Sequence, residues 1–288
     1  TRLWIVLIPV FVLSLIIASA TRAVDLGTLS FASGNAYSVP AFVGNLFGLQ
    51  DVTVPRFGEN FPLWSLANET WYYILFPLLV VSFYGKSTMA RIASASGCLL
   101  IAVSLTVPII LYFSLWLLGA AFSRVQITAS ALQKLGVVCV WGAVAVYFRL
   151  IYGDDMLDEA AYFQHLIFSL PLLVLLSSLQ TKADPQRKTI LRAKWAGNMF
   201  ASFSFTLYVI HVPLLVLLNN FWSPSGGRLS PYDIGSLGLY VIILVGILVV
   251  SYVFHLPFEA QTHRLRGFLK RKLFAGHDPA AGQARHAA

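Results

Sequence analysis

Ser65, Glu69 and Tyr73 recur every fourth residue in the run Phe61-Pro62-Leu63-Trp64-Ser65-Leu66-Ala67-Asn68-Glu69-Thr70-Trp71-Tyr72-Tyr73-Ile74-Leu75-Phe76-Pro77. In a helix starting near Ser65, this spacing places a hydroxyl, a carboxylate and a phenol on one stripe, with Tyr72 and Phe76 beside it. A carboxylate at the mouth of an apolar segment costs free energy unless it is hydrogen-bonded, hydrated or used. The residue types suit catalysis: Glu69 can help to activate a base or hold a hydroxyl, and Ser65 can position Glu69 or cap the helix. Trp64, Trp71, Tyr72 and Tyr73 suit stacking on a sugar, and they equally suit the aromatic belt of a membrane helix.

Other polar groups interrupt apolar runs. His211 sits at membrane depth, where an ionisable residue is either a functional group or a hydrogen-bonded bridge between helices. His165 lies nearer a boundary and reads as structural. His255 and Glu259 stand four apart, as a local helix pair does. The basic cluster Lys182, Arg187, Lys188, Arg192 and Lys194 can meet the phosphates of a nucleotide-like cofactor or of lipid headgroups, and it also fits the cytoplasmic side of a membrane protein. Cys98 and Cys139 lie in apolar runs and read as buried thiols, so no metal site is expected from them.

These groups must be positioned by membrane helices. Of the 288 residues, 58% are hydrophobic and 11% charged, and the mean hydropathy is +0.75, which makes the chain an all-α, polytopic membrane protein. Apolar windows of about 20 residues fall near 3–20, 69–85, 92–109, 111–127, 136–152, 161–180, 198–219 and 235–256. The third and fourth are nearly continuous and are expected to part near Pro108; a single merged helix would invert everything downstream. With eight spans, most Lys and Arg fall on one side, including Arg2, Lys86, Arg91, Arg124, Lys134, the Lys182–Lys194 cluster and the C-terminal run from Arg264 to Lys272. That bias predicts cytoplasmic termini, and it explains the net charge of +8 without nucleic acid. The Gly- and Pro-bearing stretch from Thr21 to Pro62 reads as a long external loop with a re-entrant or interfacial piece near Val39 to Leu49. One transmembrane domain over 1–275 and a disordered tail over 276–288 are expected. Thr1 in place of methionine suggests a truncated or processed start.

The stretch Trp64–Pro77 resembles the signature of the membrane-bound acyltransferase 3 family, which usually reads close to W-S-L-S-V-E-E-Q-F-Y-L-L-F-P. Ser65 and Glu69 match its S-x-x-x-E pattern, while Ala67, Asn68, Thr70 and Trp71 depart from its commonest residues. Ser204-Phe205-Thr206-Leu207-Tyr208-Val209-Ile210-His211-Val212-Pro213 is similar to the family's S-Y-S-L-Y-L-I-H-F-P. Arg2-Leu3-Trp4-Ile5-Val6-Leu7-Ile8-Pro9 looks like its R-L-x-R-I-x-P approach to a third span.

The resemblance implies a ten-helix core in a bacterial inner membrane. It would transfer an acyl group, commonly acetyl from cytoplasmic acetyl-CoA, to a hydroxyl of a surface or exported glycan. Within it, Glu69 and Ser65 take catalytic places, Trp64, Tyr72, Tyr73, Tyr208 and His211 face the acceptor, and Arg2, Arg187 and Lys188 face the acyl-CoA. The family's first two spans carry an R-x10-H motif with the catalytic histidine, and no counterpart of those spans is found. The chain is therefore expected to represent the last eight spans and to be inactive alone. A transporter or flippase of lipid-linked glycan, using Glu69 and His211, is the alternative, followed by a non-catalytic remnant.

Overall fold

The computed structural model describes residues 2–21, 35–152, 161–180, 188–222 and 233–274. Among them the regular structure is helical, apart from an isolated bridge between Gln50 and Val54. In chain order the helices are α1 (Arg2–Ala20), α2 (Val39–Leu46), α3 (Leu63–Tyr84), α4 (Thr88–Ser104), α5 (Val107–Phe122), α6 (Ala131–Tyr152), α7 (Tyr162–Leu179), α8 (Lys188–Trp222), α9 (Ile234–His255) and α10 (Thr262–Phe274). Seven of the eight apolar windows fall largely on one helix each, and the window near 92–109 runs from α4 across a break into α5. Six helical stretches are long and apolar enough to cross a membrane: α1, α3, α6, α7, the Lys194–Phe221 part of α8, and the stretch that begins with α9. Helices α4 and α5 are apolar but shorter, at 17 and 16 residues.

The break between those two lies at Leu105 and Thr106, ahead of the expected point. Both residues are extended, and Pro108 sits in the first turn of α5. Proline is tolerated there because a first-turn N–H has no partner within the helix to lose. Helix α3 begins at Leu63, so Ser65 lies inside its first turn and is not the cap. Helix α10 was not expected, because its cations hide it from an apolar window. Within the long loop, residues 22–34 lie outside the described residues, as do the expected tail and Arg187.

The described residues form two compact units: one from the residues up to Ser65 and from Arg192 onward, the other Leu66–Leu191. In the first, α1 buries Val6, Leu7, Val10, Phe11 and Ser14, and it packs on α2, on the turn at Phe57–Glu59 and on the turn at Glu259–Gln261. Phe11 stacks against Phe42 and Phe57 at 5.4 and 4.7 Å between centroids. Nearer the start of the helix, Trp4 meets Phe47 at 5.4 Å and donates to Leu46 O at 2.7 Å. Helix α2 thus runs antiparallel to α1, and the chain returns past Pro55 and Phe57, so the expected re-entrant or interfacial piece is a short helix folded against α1.

An irregular backbone beside a membrane helix needs internal partners for its N–H and C=O groups. Buried amide side chains supply them. Asn45 donates to Ala41 O (2.7 Å) and Pro55 O (2.9 Å) and accepts from Phe57 N (3.1 Å). Gln50 donates to Leu63 O at 2.8 Å, and Asn60 to Val209 O at 2.8 Å. Two glycines permit the course: a Cβ on Gly44 would lie 2.6 Å from Val54 Cγ2, and Gly58 has φ +63°.

In the second unit, α5 and α6 pack on α7. Tyr72 is buried beside Phe113 and Trp116 and donates its hydroxyl to Ile109 O at 2.9 Å. Tyr112 Oη lies 2.6 Å from His165 Nδ1, which fits the structural reading of that histidine.

Candidate active site

Glu259 is the best-connected side chain at the start of α1. Helix α9 ends at His255 ahead of Pro257, and the chain turns through Glu259 into α10. The residue is 5% exposed. Oε1 accepts from Arg2 Nε at 3.0 Å and from Arg2 Nη2. Oε2 accepts from the Thr206 hydroxyl at 2.6 Å and from the Thr206 N–H at 3.1 Å. His255 Nδ1 stands 3.5 Å from Oε2, with its ring beside Phe203 and Tyr252. Arg2 reaches over Phe205, 6.0 Å from the ring centroid.

A cavity of about 870 Å³ opens beside this cluster, lined by Arg2, Asn198, Ser202, Glu259, His263 and Arg266 among others. Because Arg2 and Glu259 form an ion pair, the net charge facing the cavity is positive through Arg266. Asn198 and Ser202 add neutral polar groups. Such a lining suits a phosphate-bearing ligand.

Beside the Glu259 cluster, α8 meets the start of α3. Tyr208 donates to Pro62 O at 2.8 Å, and its hydroxyl is 2.6 Å from Ser65 Oγ. Ser65 Oγ is also 3.2 Å from Pro62 O. One turn along α8, His211 Nδ1 is 3.1 Å from Leu207 O and so donates to it, which leaves Nε2 as the ring nitrogen turned elsewhere. Trp64, two residues after Pro62, is half-buried.

Arg2, Ser65, Trp64, Tyr208 and His211 therefore belong to the first unit, whereas Glu69, Tyr72 and Tyr73 belong to the second. Tyr73 donates to Glu69 Oε1 at 2.5 Å on an exposed face of α3, as the spacing of four predicted. Tyr72 is committed to packing. Lys188 opens α8, and Arg187 lies outside the described residues.

Thr206, His263 and Arg266 escaped the sequence reading, and Glu259 was read only as the partner of His255. One signal was present: Glu259 is the sole carboxylate between Asp233 and Asp278, placed between an apolar helix and a run of cations. Among the described residues, no group of His, Cys, Asp and Glu could hold a metal ion. Comparison with protein-family models, curated proteins and solved structures returns no match.

Proposed function

We infer that the chain works in membrane O-acylation, moving an acyl group, commonly acetyl, from acyl-CoA to a hydroxyl of a surface or exported glycan. One observation carries the reading. Three stretches that resemble the acyltransferase 3 family, far apart in sequence, meet in the first unit through the Arg2–Glu259–Thr206 links and the Tyr208–Ser65 contact. In this reading the protein sits in a bacterial inner membrane with both ends cytoplasmic, and α4 and α5 complete eight crossings.

The residues divide the work. Arg2 and Arg266 bind donor phosphates at the cavity, and Glu259 holds Arg2 in place. Acyl transfer breaks the thioester C–S bond, forms a C–O bond and sends the hydroxyl proton to a base. In the first unit the Ser65–Tyr208 pair and His211 offer hydrogen bonds to an acceptor hydroxyl, and in the second unit Glu69 with Tyr73 is a polar pair of its own. The resemblance gives proton removal to the histidine of R-x10-H.

Labelled acetyl-CoA supplied to membranes from the source cell tests this reading. Label is expected on glycan when the chain is present together with the helices that carry the R-x10-H histidine, about a hundredfold less with Glu69→Gln at equal protein level, and none with this chain alone or in membranes lacking the protein. Equal labelling with and without the protein would overturn it.

A further inference from the structure

Helix α10 carries Arg264, Arg266, Lys270, Arg271 and Lys272, together with His263, and has no Asp or Glu. At about 100° per residue, Leu265, Phe268 and Leu269 share one face. Arg264 and Arg271 fall on one flank of that stripe and Lys272 falls within it, whereas Thr262 and Arg266 fall on the other flank and line the cavity. Phe268 and Leu269 are 48% and 38% exposed. Lys272 Nζ lies over the Phe268 ring, 5.2 Å from its centroid, and its long stem lets that charge swing from the apolar face toward a polar surface.

Only the turn Leu256–Gln261 separates this helix from α9, which belongs to a stretch long and apolar enough to cross a membrane. The apolar stripe of α10 therefore begins within a few residues of the point where α9 leaves hydrocarbon. A short cationic helix with one apolar face, tethered there, is built to lie in the headgroup layer. Its excess of cations matches a surface of anionic phospholipid.

We propose that α10 rests on the membrane surface, with Leu265, Phe268 and Leu269 at the headgroup–acyl boundary and Arg264, Arg271 and Lys272 on the phosphates of anionic phospholipids. The same helix brings His263 and Arg266 to the cavity, so lipid contact on one flank steadies the cavity wall on the other. This surface does not depend on the acyl-transfer reading.

Hydrogen exchange of the purified chain, in nanodiscs of phosphatidylcholine with and without phosphatidylglycerol, tests the proposal. Amides from Arg264 to Lys272 are expected to exchange about tenfold more slowly with phosphatidylglycerol. The triple variant Arg264→Gln, Arg271→Gln, Lys272→Gln should lose that difference while exchange in α9 is unchanged. Equal exchange in the two lipids, protection that survives in the triple variant, or equal protection by inorganic phosphate in phosphatidylcholine discs would each overturn it.

Discussion

A buried carboxylate is tolerable only when donors meet its lone pairs, and Glu259 draws them from Arg2 and Thr206. Thr206→Val keeps the shape of that side chain and removes one hydrogen bond to a charged group. A loss of about 2 kcal/mol in unfolding free energy is expected, read by denaturant titration in detergent. The Ser65–Tyr208 contact is a neutral pair, and a double-mutant cycle with Ser65→Ala and Tyr208→Phe should give a coupling of about 1 kcal/mol. Additive losses would mean that the hydroxyls act separately on Pro62. Both residues were legible in the sequence because they stand inside ordered runs. The role of Glu259 was not, since its partners lie 257 and 53 residues away and helical spacing points only to His255.

At the scale of elements, the apolar windows revealed the long helices, because burial in hydrocarbon demands continuous apolar side chains. The segment between α1 and α3 was less legible. Its course depends on Asn45, Gln50 and Asn60 satisfying particular backbone groups, and such pairings leave no periodic trace. Gly44→Ala tests that course: the added methyl would meet Val54, and a destabilisation of about 1–3 kcal/mol is expected, largely relieved by Val54→Ala in the same chain. Unchanged stability of the single variant would show that the return limb can move away from α2. The start of α9 offers a pH test. Asp233 caps the helix by accepting from the Ser236 N–H at 2.7 Å, and this hydrogen bond holds its carboxyl below the usual range. A depressed folded-state value means that the cap's contribution is present above the ordinary aspartate range and is lost as pH falls through the lowered one. Exchange at Ser236, corrected for its intrinsic pH dependence, should quicken through that window and be insensitive to it in Asp233→Ala.

For the whole molecule, the paired nature of α4 and α5 removes the danger that a merged helix would invert the chain. If both cross, the sides before α4 and after α5 agree; if the pair enters and leaves the same face, they agree again. Only the turn at Leu105 and Thr106 distinguishes the two cases. Thr106 is exposed and heads α5, so a cysteine there reports the side directly. In a background with Cys98 and Cys139 replaced by serine, Lys86→Cys and Thr106→Cys should react with a membrane-impermeant maleimide from opposite faces of sealed vesicles. Lys86→Cys and Lys270→Cys should react from the same face, since the positive-inside bias places both with the cationic ends. Labelling of Thr106→Cys from the Lys86 side would reduce the crossings to six. Helices of 16 and 17 residues, at about 1.5 Å per residue, are close to the shortest that span hydrocarbon. Their length alone therefore leaves both routes physically open; Lys86 and Arg91 at the start of the pair and Arg124 and Lys134 after it hold its two ends on one side in either route, and no cation lies near the turn, so the cysteine at Thr106 is what decides.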